Sequence, residues 1–322
     1  MFQGHRRVAK EGDLVIIYER KDSIVPVILK SGDKYQSIFG AFLHDNMIGK
    51  EYGSVITSQA GNKYVYILKP TAELWSGSMR TRTQIIFTLD ASVIIFNLFL
   101  KPGCRVVESG TGSGALSTDI ARVLGPMGHL FTFEYNELRS NEARNEFCRN
   151  GLGYIISVFH RDAYADGFVV EDEDESLRVD ADHPVDAVFL DLPKPYAAID
   201  NACKVLKYNG RICCFSPCIE QVQENCRVLR EKGFELIETM ESIIREYELN
   251  TIDNNNSNTV RMRTLEKKGV SLKREVPTTE ITNDLFVPSA SVMETLNSMV
   301  LSKGEHIGRA HTAYLTFATK LK

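Results

Sequence analysis

A chain of 322 residues that is 43% hydrophobic and 25% charged can bury a full core and hold one large domain with a smaller companion, which excludes a disordered or fibrous protein. Its 38 basic and 42 acidic residues leave a net charge of −4, so any role on nucleic acid needs a local patch or a partner rather than bulk charge. Cysteines 104, 148, 203, 213, 214, 218 and 226 lie among apolar residues with no C-x-x-C pair, so no metal site or disulfide framework is expected, and the thiols read as reduced in an intracellular protein.

The start, MFQGHRRVAKEGD, has no apolar stretch of the kind that marks secretion. Residues 10–69 then break into short β-prone runs, DLVIIYER, IVPVILK, YQSIFGAF, SVITS and KYVYILK, separated by KDS, SGDK and AGNK. That is the pattern of a small β-barrel or sandwich, and it sets an N-terminal β-rich domain at 1–75, either a folding cap or a grip on a substrate or partner. Residues 81–100, TRTQIIFTLDASVIIFNLFL, raise the question of a membrane span. Arg82, Gln84, Asp90 and Asn97 interrupt the run and Lys101-Pro102-Gly103 stops it, so a buried amphipathic helix is expected, with residues 84–88 near the next turn.

Residues 105–134, RVVESGTGSGALSTDIARVLGPMGHLFTFE, read as strand, glycine turn, helix and strand. Gly110, Gly112 and Gly114 let the backbone turn sharply and approach a ligand, and the following helix presents unpaired N–H groups, so a polar ligand is expected there. Gly110, Gly112 and Ala115 also fit a dinucleotide pattern. Glu108, just before the turn, opposes a pyrophosphate but suits a cation such as the ammonium and sulfonium of S-adenosylmethionine. Glu134 can accept ribose hydroxyls in either case.

The alternation continues with helix 137–149, strand 155–161 ending at Asp162, and an insertion at 171–183 whose acidic run 171–175 reads as a solvated loop. Strand 186–190 ends in Asp191-Leu192-Pro193-Lys194-Pro195-Tyr196 and leads to helix 197–207; strand 211–215 leads through Ser216-Pro217-Cys218 to helix 219–232. Open α/β sheets bind ligands at strand C-termini, so Asp162, Asp191 and Ser216 are expected to share a rim with the glycine turn. A strand and its extension at 235–249 precede a polar insertion at about 250–300, in which Lys267, Lys268, Lys273 and Arg274 could touch RNA, direct import, or stay solvated. A helical piece at 292–301 leads to a last alternating strand at 311–320. A late strand pair after five βα units favours a methyltransferase over a dehydrogenase. The expected fold is therefore α/β, a class I (Rossmann-like) methyltransferase sheet with a terminal antiparallel strand at 76–322, preceded by the small β-domain.

Asp191 with Pro193 and Tyr196 resembles the D/N-P-P-Y/F element of amino-directed methyltransferases, in which a carboxylate at the sheet edge accepts hydrogen bonds from an adenine N6 amine; the plain alternative is a helix cap. ESGTGSG (108–114), FLDLPKPY (189–196), CFSPCIEQVQ (214–223), PTAELW (70–75), RTQIIF (82–87) and HTAYLTFATK (311–320) together resemble the catalytic subunit of the eukaryotic tRNA (adenine-58-N1)-methyltransferase, the m1A58 enzyme. The resemblance implies that Ser113, Gly114 and Ala115 hold the methionine end of S-adenosylmethionine beside Glu108, Gly110 and Gly112. It puts Glu134 on the ribose and Asp162 with Ala163 on the adenine, with Ile86 and Arg139 completing the pocket. Asp191 matches the essential aspartate at the target adenine. Gln84, Thr88, Leu190, Leu192 and Pro193 match tRNA-contacting positions, as do Ser216, Pro217, Cys218, Glu220 and Gln221, with Lys63, Tyr64 and His311 as further candidates. It also implies tRNA as substrate, a related non-catalytic subunit in a heterotetramer of two heterodimers, and residence in the nucleus. Competing readings are a methyltransferase with another acceptor and a non-catalytic RNA-binding subunit; the intact ESGTGSG, Glu134 and Asp191 speak against the second.

Overall fold

The structure, a computed structural model, describes residues 6–20, 23–243, 247–251, 300–304 and 313–321. The N-terminal strands are β1 (Leu14–Arg20), β2 (Ser23–Ile28), β3 (Lys34–Ser37), β4 (Gly40–Leu43), β5 (Val55–Thr57) and β6 (Tyr64–Leu68). They form an antiparallel sheet of order β2-β1-β6-β5 and a separate hairpin, β3 with β4. Residues 35–42, which read as one strand, instead fold back at Ile38 and Phe39, because Gly40 takes a φ of 116° and Lys34 pairs with Leu43. Val15, Ile17, Phe42, Ile56, Val65 and Ile67 fill the core of this layer. Helix α1 (Ala72–Ser78) starts where Thr71 Oγ1 accepts the Leu74 N–H at 3.3 Å, and its Trp75 packs with Met79, Ala115 and Leu14.

Helix α2 is shorter than the sequence suggests, Thr88–Asn97 rather than 81–100. Residues 81–87 are irregular because their backbone is taken by a partner outside any helix: the Arg82 and Thr83 N–H groups donate to Ser113 Oγ at 2.8 and 3.0 Å. Among the described residues no helix is long and apolar enough to cross a membrane.

The second layer system comprises β7 (Arg105–Ser109), α3 (Ala115–Leu124), β8 (His129–Glu134), α4 (Glu137–Arg149), β9 (Ile156–His160), β10 (Val185–Leu190), α5 (Pro195–Val205), β11 (Leu206–Ser216), α6 (Ile219–Glu231) and β12 (Phe234–Glu241). The chain adds β13 (Tyr247–Thr251) and β14 (Val300–Gly304), which pair with each other as a unit of their own, and ends with β15 (Tyr314–Lys320). Among the described residues the large sheet has seven strands in the order β12-β15-β11-β10-β7-β8-β9, parallel except where β15 runs antiparallel to β11 and β12. Two-residue alternation divides each strand between two cores. Val106 and Phe189 pack with Ile120, Leu124 and Phe147 of α3 and α4, whereas Val107, Val188 and Leu190 pack with Ile199 and Leu229 of α5 and α6.

Two boundaries moved for local reasons. Pro195 opens α5 earlier than expected, and the chain passes into β11 at Leu206 through a bulge with Asn209 at φ 59°, where the pairing jumps from Val185 with Leu206 to Ala187 with Arg211. Val300–Gly304 is strand, so the helix expected over 292–301 does not run to its end; its other residues, and the basic residues 267–274, lie outside the described ones. The acidic insertion is tied to the start of β7, where Arg105 donates to the carbonyls of Arg178 and of His183, the latter at 3.1 Å. That is the opposite end of the strand from the glycine turn.

Candidate active site

The glycine turn is squeezed between two other segments. Gly110 has a φ of 97°, and a Cβ there would collide with the backbone carbonyl oxygen of Asp191; a Cβ on Gly112 would stand 2.6 Å from Thr83 Oγ1. The Asp191 N–H donates to Ser109 O at 2.9 Å, continuing the ladder of β10 on β7 past their ends. The missing side chains thus allow the turn, the 82–86 segment and the Asp191 segment to meet at one point.

Around that point opens a cavity of about 620 Å³, walled by Gly110, Gly112, Glu134, Asp162, Asp191 and Pro193, with Gln84, Arg139, Ala163 and Leu192 also on its lining. Glu134, at the end of β8, accepts the Gly112 N–H on Oε2 at 3.0 Å and, on Oε1, the Asn136 N–H at 2.9 Å and Arg139 Nη2 at 2.7 Å. A carboxylate held this rigidly presents its remaining acceptor capacity in one direction. Asp162 Oδ1 takes the Tyr164 N–H at 2.8 Å, which fixes the turn after β9. A smaller space of about 30 Å³ lies behind the glycine turn, where Ile86, Glu108, Ser113, Gly114, Ala115 and Asp191 come together.

The site favours positive charge. Asp191 opens onto the cavity but is otherwise surrounded by protein, and this desolvation, with the nearby Glu134 charge second, raises its carboxyl to about 6. Burial pushes Glu108 further, to about 7, against the lowering effect of its hydrogen bonds from Ser117 and Thr132. A pyrophosphate at the turn would meet the carboxylates of Glu108 and Asp191, whereas a cationic ligand is favoured there and its ribose hydroxyls can be taken by Glu134.

Some expected site residues have other work. Glu108 Oε2 is taken by Ser117 Oγ at 2.5 Å and Thr132 Oγ1 at 2.7 Å, so much of its carboxylate is committed to holding α3 and β8 rather than a ligand. Ser113 Oγ holds the Arg82 and Thr83 N–H groups and so serves the wall of the pocket rather than a ligand. Leu190 and Ser216, matched to tRNA contacts, have 0% exposed side chains, Leu190 in the core and Ser216 accepting from Asn225 Nδ2 at 2.9 Å. Pro217, Cys218 and Glu220 are exposed after β11, and Gln221 Nε2 donates to Pro193 O at 2.9 Å, joining that turn to the cavity rim. Thr88 is exposed at the start of α2; Lys63 and Tyr64 are exposed at the start of β6 and line neither cavity. His311 lies outside the described residues.

Sequence reading gave no site role to Arg82, Thr83 or Tyr164. Arg82 Nη1 pairs with Glu146 Oε2 at 2.8 Å and its Nη2 donates to Ser113 O at 3.0 Å, pinning the 81–87 segment to α4 and to the glycine turn. A lone arginine in an apolar run was the signal, but its partner is 64 positions away.

This sheet, with its late antiparallel strand and a glycine turn beside an acidic cavity, defines a class I S-adenosylmethionine-dependent methyltransferase. The chain belongs to the tRNA methyltransferase complex GCD14 subunit family, matched over residues 63–320, and residues 9–56 match a TrmI-like N-terminal domain. It is 44% identical to the tRNA (adenine(58)-N(1))-methyltransferase catalytic subunit trmt61a of Dictyostelium discoideum, over 98% of this chain and 97% of that one. Identity to the TRM61 catalytic subunit of Kluyveromyces lactis is 33%, over 99% and 89%. A SAM-dependent O-methyltransferase from Thermotoga maritima superposes with a TM-score of 0.71 at 28% identity, covering 98% of this chain and 96% of that one. The tRNA (m1A58) methyltransferase TrmI of Aquifex aeolicus shares the fold, with a TM-score of 0.66 at 23% identity over 98% and 99% of the two chains. The family implies use of S-adenosylmethionine.

Proposed function

We propose that this chain is the catalytic subunit of a tRNA (adenine-58-N1)-methyltransferase. The observation that carries the reading is the position of Asp191, which lines both the large cavity and the space behind the glycine turn, and so stands where a cofactor and an incoming base would meet. S-adenosylmethionine supplies an electrophilic methyl group on a sulfonium. Glu134 would take its ribose hydroxyls, the turn at Asp162 and Ala163 its adenine, and the backbone of residues 113–115 its methionine end. The target adenine would be held by Asp191, whose carboxylate accepts from the N6 amine and leaves N1, with its own lone pair, facing the methyl group. Asp191 need not remove a proton. Its second role is electrostatic: transfer moves a positive charge onto the adenine ring, and a carboxylate already in place stabilises it there. Holding the two reactants in line supplies most of the rest, up to about 7–11 kcal/mol.

The acidic pocket should make cofactor binding depend on pH. A cation favours ionised carboxylates, so it binds with release of protons from groups that titrate near 6 and 7 in the free protein. Affinity for S-adenosylmethionine is therefore expected to rise severalfold between about pH 5.5 and 7.5, and that for the uncharged thioether product to rise less. Calorimetric titration at the two pH values checks this; equal slopes for both ligands would remove the electrostatic account.

A net charge of −4 also makes a lone subunit a poor match for tRNA, whose T-loop adenine must be extruded at a cost of a few kcal/mol. From the family resemblance the reading takes a related non-catalytic subunit in a heterotetramer, with the N-terminal β-layer making substrate or partner contacts, and residence in the nucleus. The expected result is that the chain alone binds cofactor yet methylates tRNA at least about tenfold more slowly than the assembled complex. Labelled methyl transfer to unmodified tRNA, with and without the partner and with the modified base mapped, tests it. Full activity of the single chain at physiological salt, or label on another base, would refute it.

A further inference from the structure

The segment that carries Asp191 has no ladder of its own between β10 and α5, yet three of its backbone groups are anchored, each from the C-terminal edge of a different strand. Asp191 N–H donates to Ser109 O at the end of β7, and Gln221 Nε2, from the first turn of α6 after β11, donates to Pro193 O. The Lys194 N–H donates to the hydroxyl of Tyr164, from the turn after β9, at 3.0 Å. The body of Tyr164 lines the large cavity, two residues on from Asp162. The same two elements are laced again by Asn201 of α5, whose Nδ2 donates to the carbonyls of Ala163 and Tyr164 at 2.9 and 3.1 Å.

We infer that Tyr164 is a positioning residue that sets the target side of the site from the cofactor side: its ring is part of the wall at the adenine end of the cavity, and its hydroxyl fixes the Lys194 N–H and with it the placement of Asp191. This rests on the reading of Asp191 as the group that meets the target base. Lys194 precedes the first turn of α5 with φ −135° and ψ 74°, so its N–H has no partner within the helix, and the hydroxyl supplies one. Burial raises the Tyr164 phenol above its usual value, so it stays neutral and keeps both its proton and its acceptor lone pairs. Tyr164 acts through the backbone of 191–194 and has no part in the chemistry itself. Its loss should therefore misplace the base without emptying the cofactor pocket.

The test is Tyr164→Phe, which keeps the ring and removes one acceptor, assayed in the complex with the partner subunit. The expected result is a cofactor Kd within about twofold of wild type, an unchanged melting temperature, and kcat for tRNA methylation lower by about 5–10-fold. Tyr164→Ala should lose cofactor affinity as well, because the wall goes with the hydroxyl. Gln221→Ala loosens the same segment from the other side, so the double variant should fall by less than the product of the two single losses. A Tyr164→Phe enzyme with kcat within twofold of wild type, or with cofactor affinity and kcat falling in parallel, would overturn the inference while the methyltransferase reading stands. A wild-type complex that binds cofactor but does not methylate tRNA would overturn that reading and this inference with it.

Discussion

Asp191→Ala should leave the protein folded while methyl transfer to tRNA falls by about 10²–10³-fold, the loss typical when one preorganised electrostatic group at a reacting centre is removed. Stability should not suffer, because Asp191 is a carboxylate held above its usual range by burial and by Glu134, so its removal relieves an unfavourable charge. Asp191→Asn keeps an acceptor oxygen but not the charge and should fall between wild type and alanine. The separation of effects is the informative part. Cofactor affinity is expected to weaken by only a few fold, through the loss of one negative charge from the cavity, while single-turnover transfer drops far more. An alanine variant that keeps half of wild-type transfer would remove Asp191 from the chemistry, and one that loses cofactor binding and transfer equally would make it a pocket residue only.

Gly110→Ala should be the most damaging single methyl group in the site. Two causes add: the residue needs a left-handed φ of 97°, and the new Cβ has the Asp191 carbonyl in its place. Since that carbonyl belongs to the segment paired with Ser109, relief requires moving Asp191 away from the glycine turn. Loss of cofactor affinity by more than about tenfold and a stability loss of about 2–4 kcal/mol are expected. Gly103→Ala is the matched control, with φ 88° but open space around its Cβ. It should carry only the backbone strain, about 1–2 kcal/mol, with cofactor affinity intact. Equal effects of the two substitutions on affinity would show that strain, and not the contact with Asp191, governs the turn.

The parts of the molecule that sequence alone made legible are those in which local pattern and final environment agree. The strand 105–109 and the helix 115–124 stand where the β-branched run and the apolar spacing put them, and Glu134 ends β8. Residues 81–87 misled because an apolar run reads the same whether its N–H groups are satisfied within a helix or, as here, by Ser113. Glu108 was legible as a charge but not as a charge already claimed by Ser117 and Thr132. Leu190 and Ser216 carried motif resemblance, yet helices cover both faces of the sheet at β10 and β11, so side chains on either face there are buried. Tyr164 had no pattern to announce it, since its value comes from a backbone N–H 30 positions away.

The place of β15 has a bearing on how the chain is made. This strand, nearly the last part of the sequence, lies between β11 and β12, with Arg211 paired to Thr319 and Glu241 to Tyr314. It sends Leu315 and Phe317 into one core and Ala318 into the other. Until residues 314–320 are in place, β11 and β12 have no strand between them, and the stretch of chain that must be closed runs from Glu241 to Tyr314. The N-terminal layer is built from pairings close in sequence, whereas the sheet that holds the active site waits for this long-range one. A message cut short anywhere before residue 314 would therefore yield a product with a complete glycine turn and no finished sheet to support it.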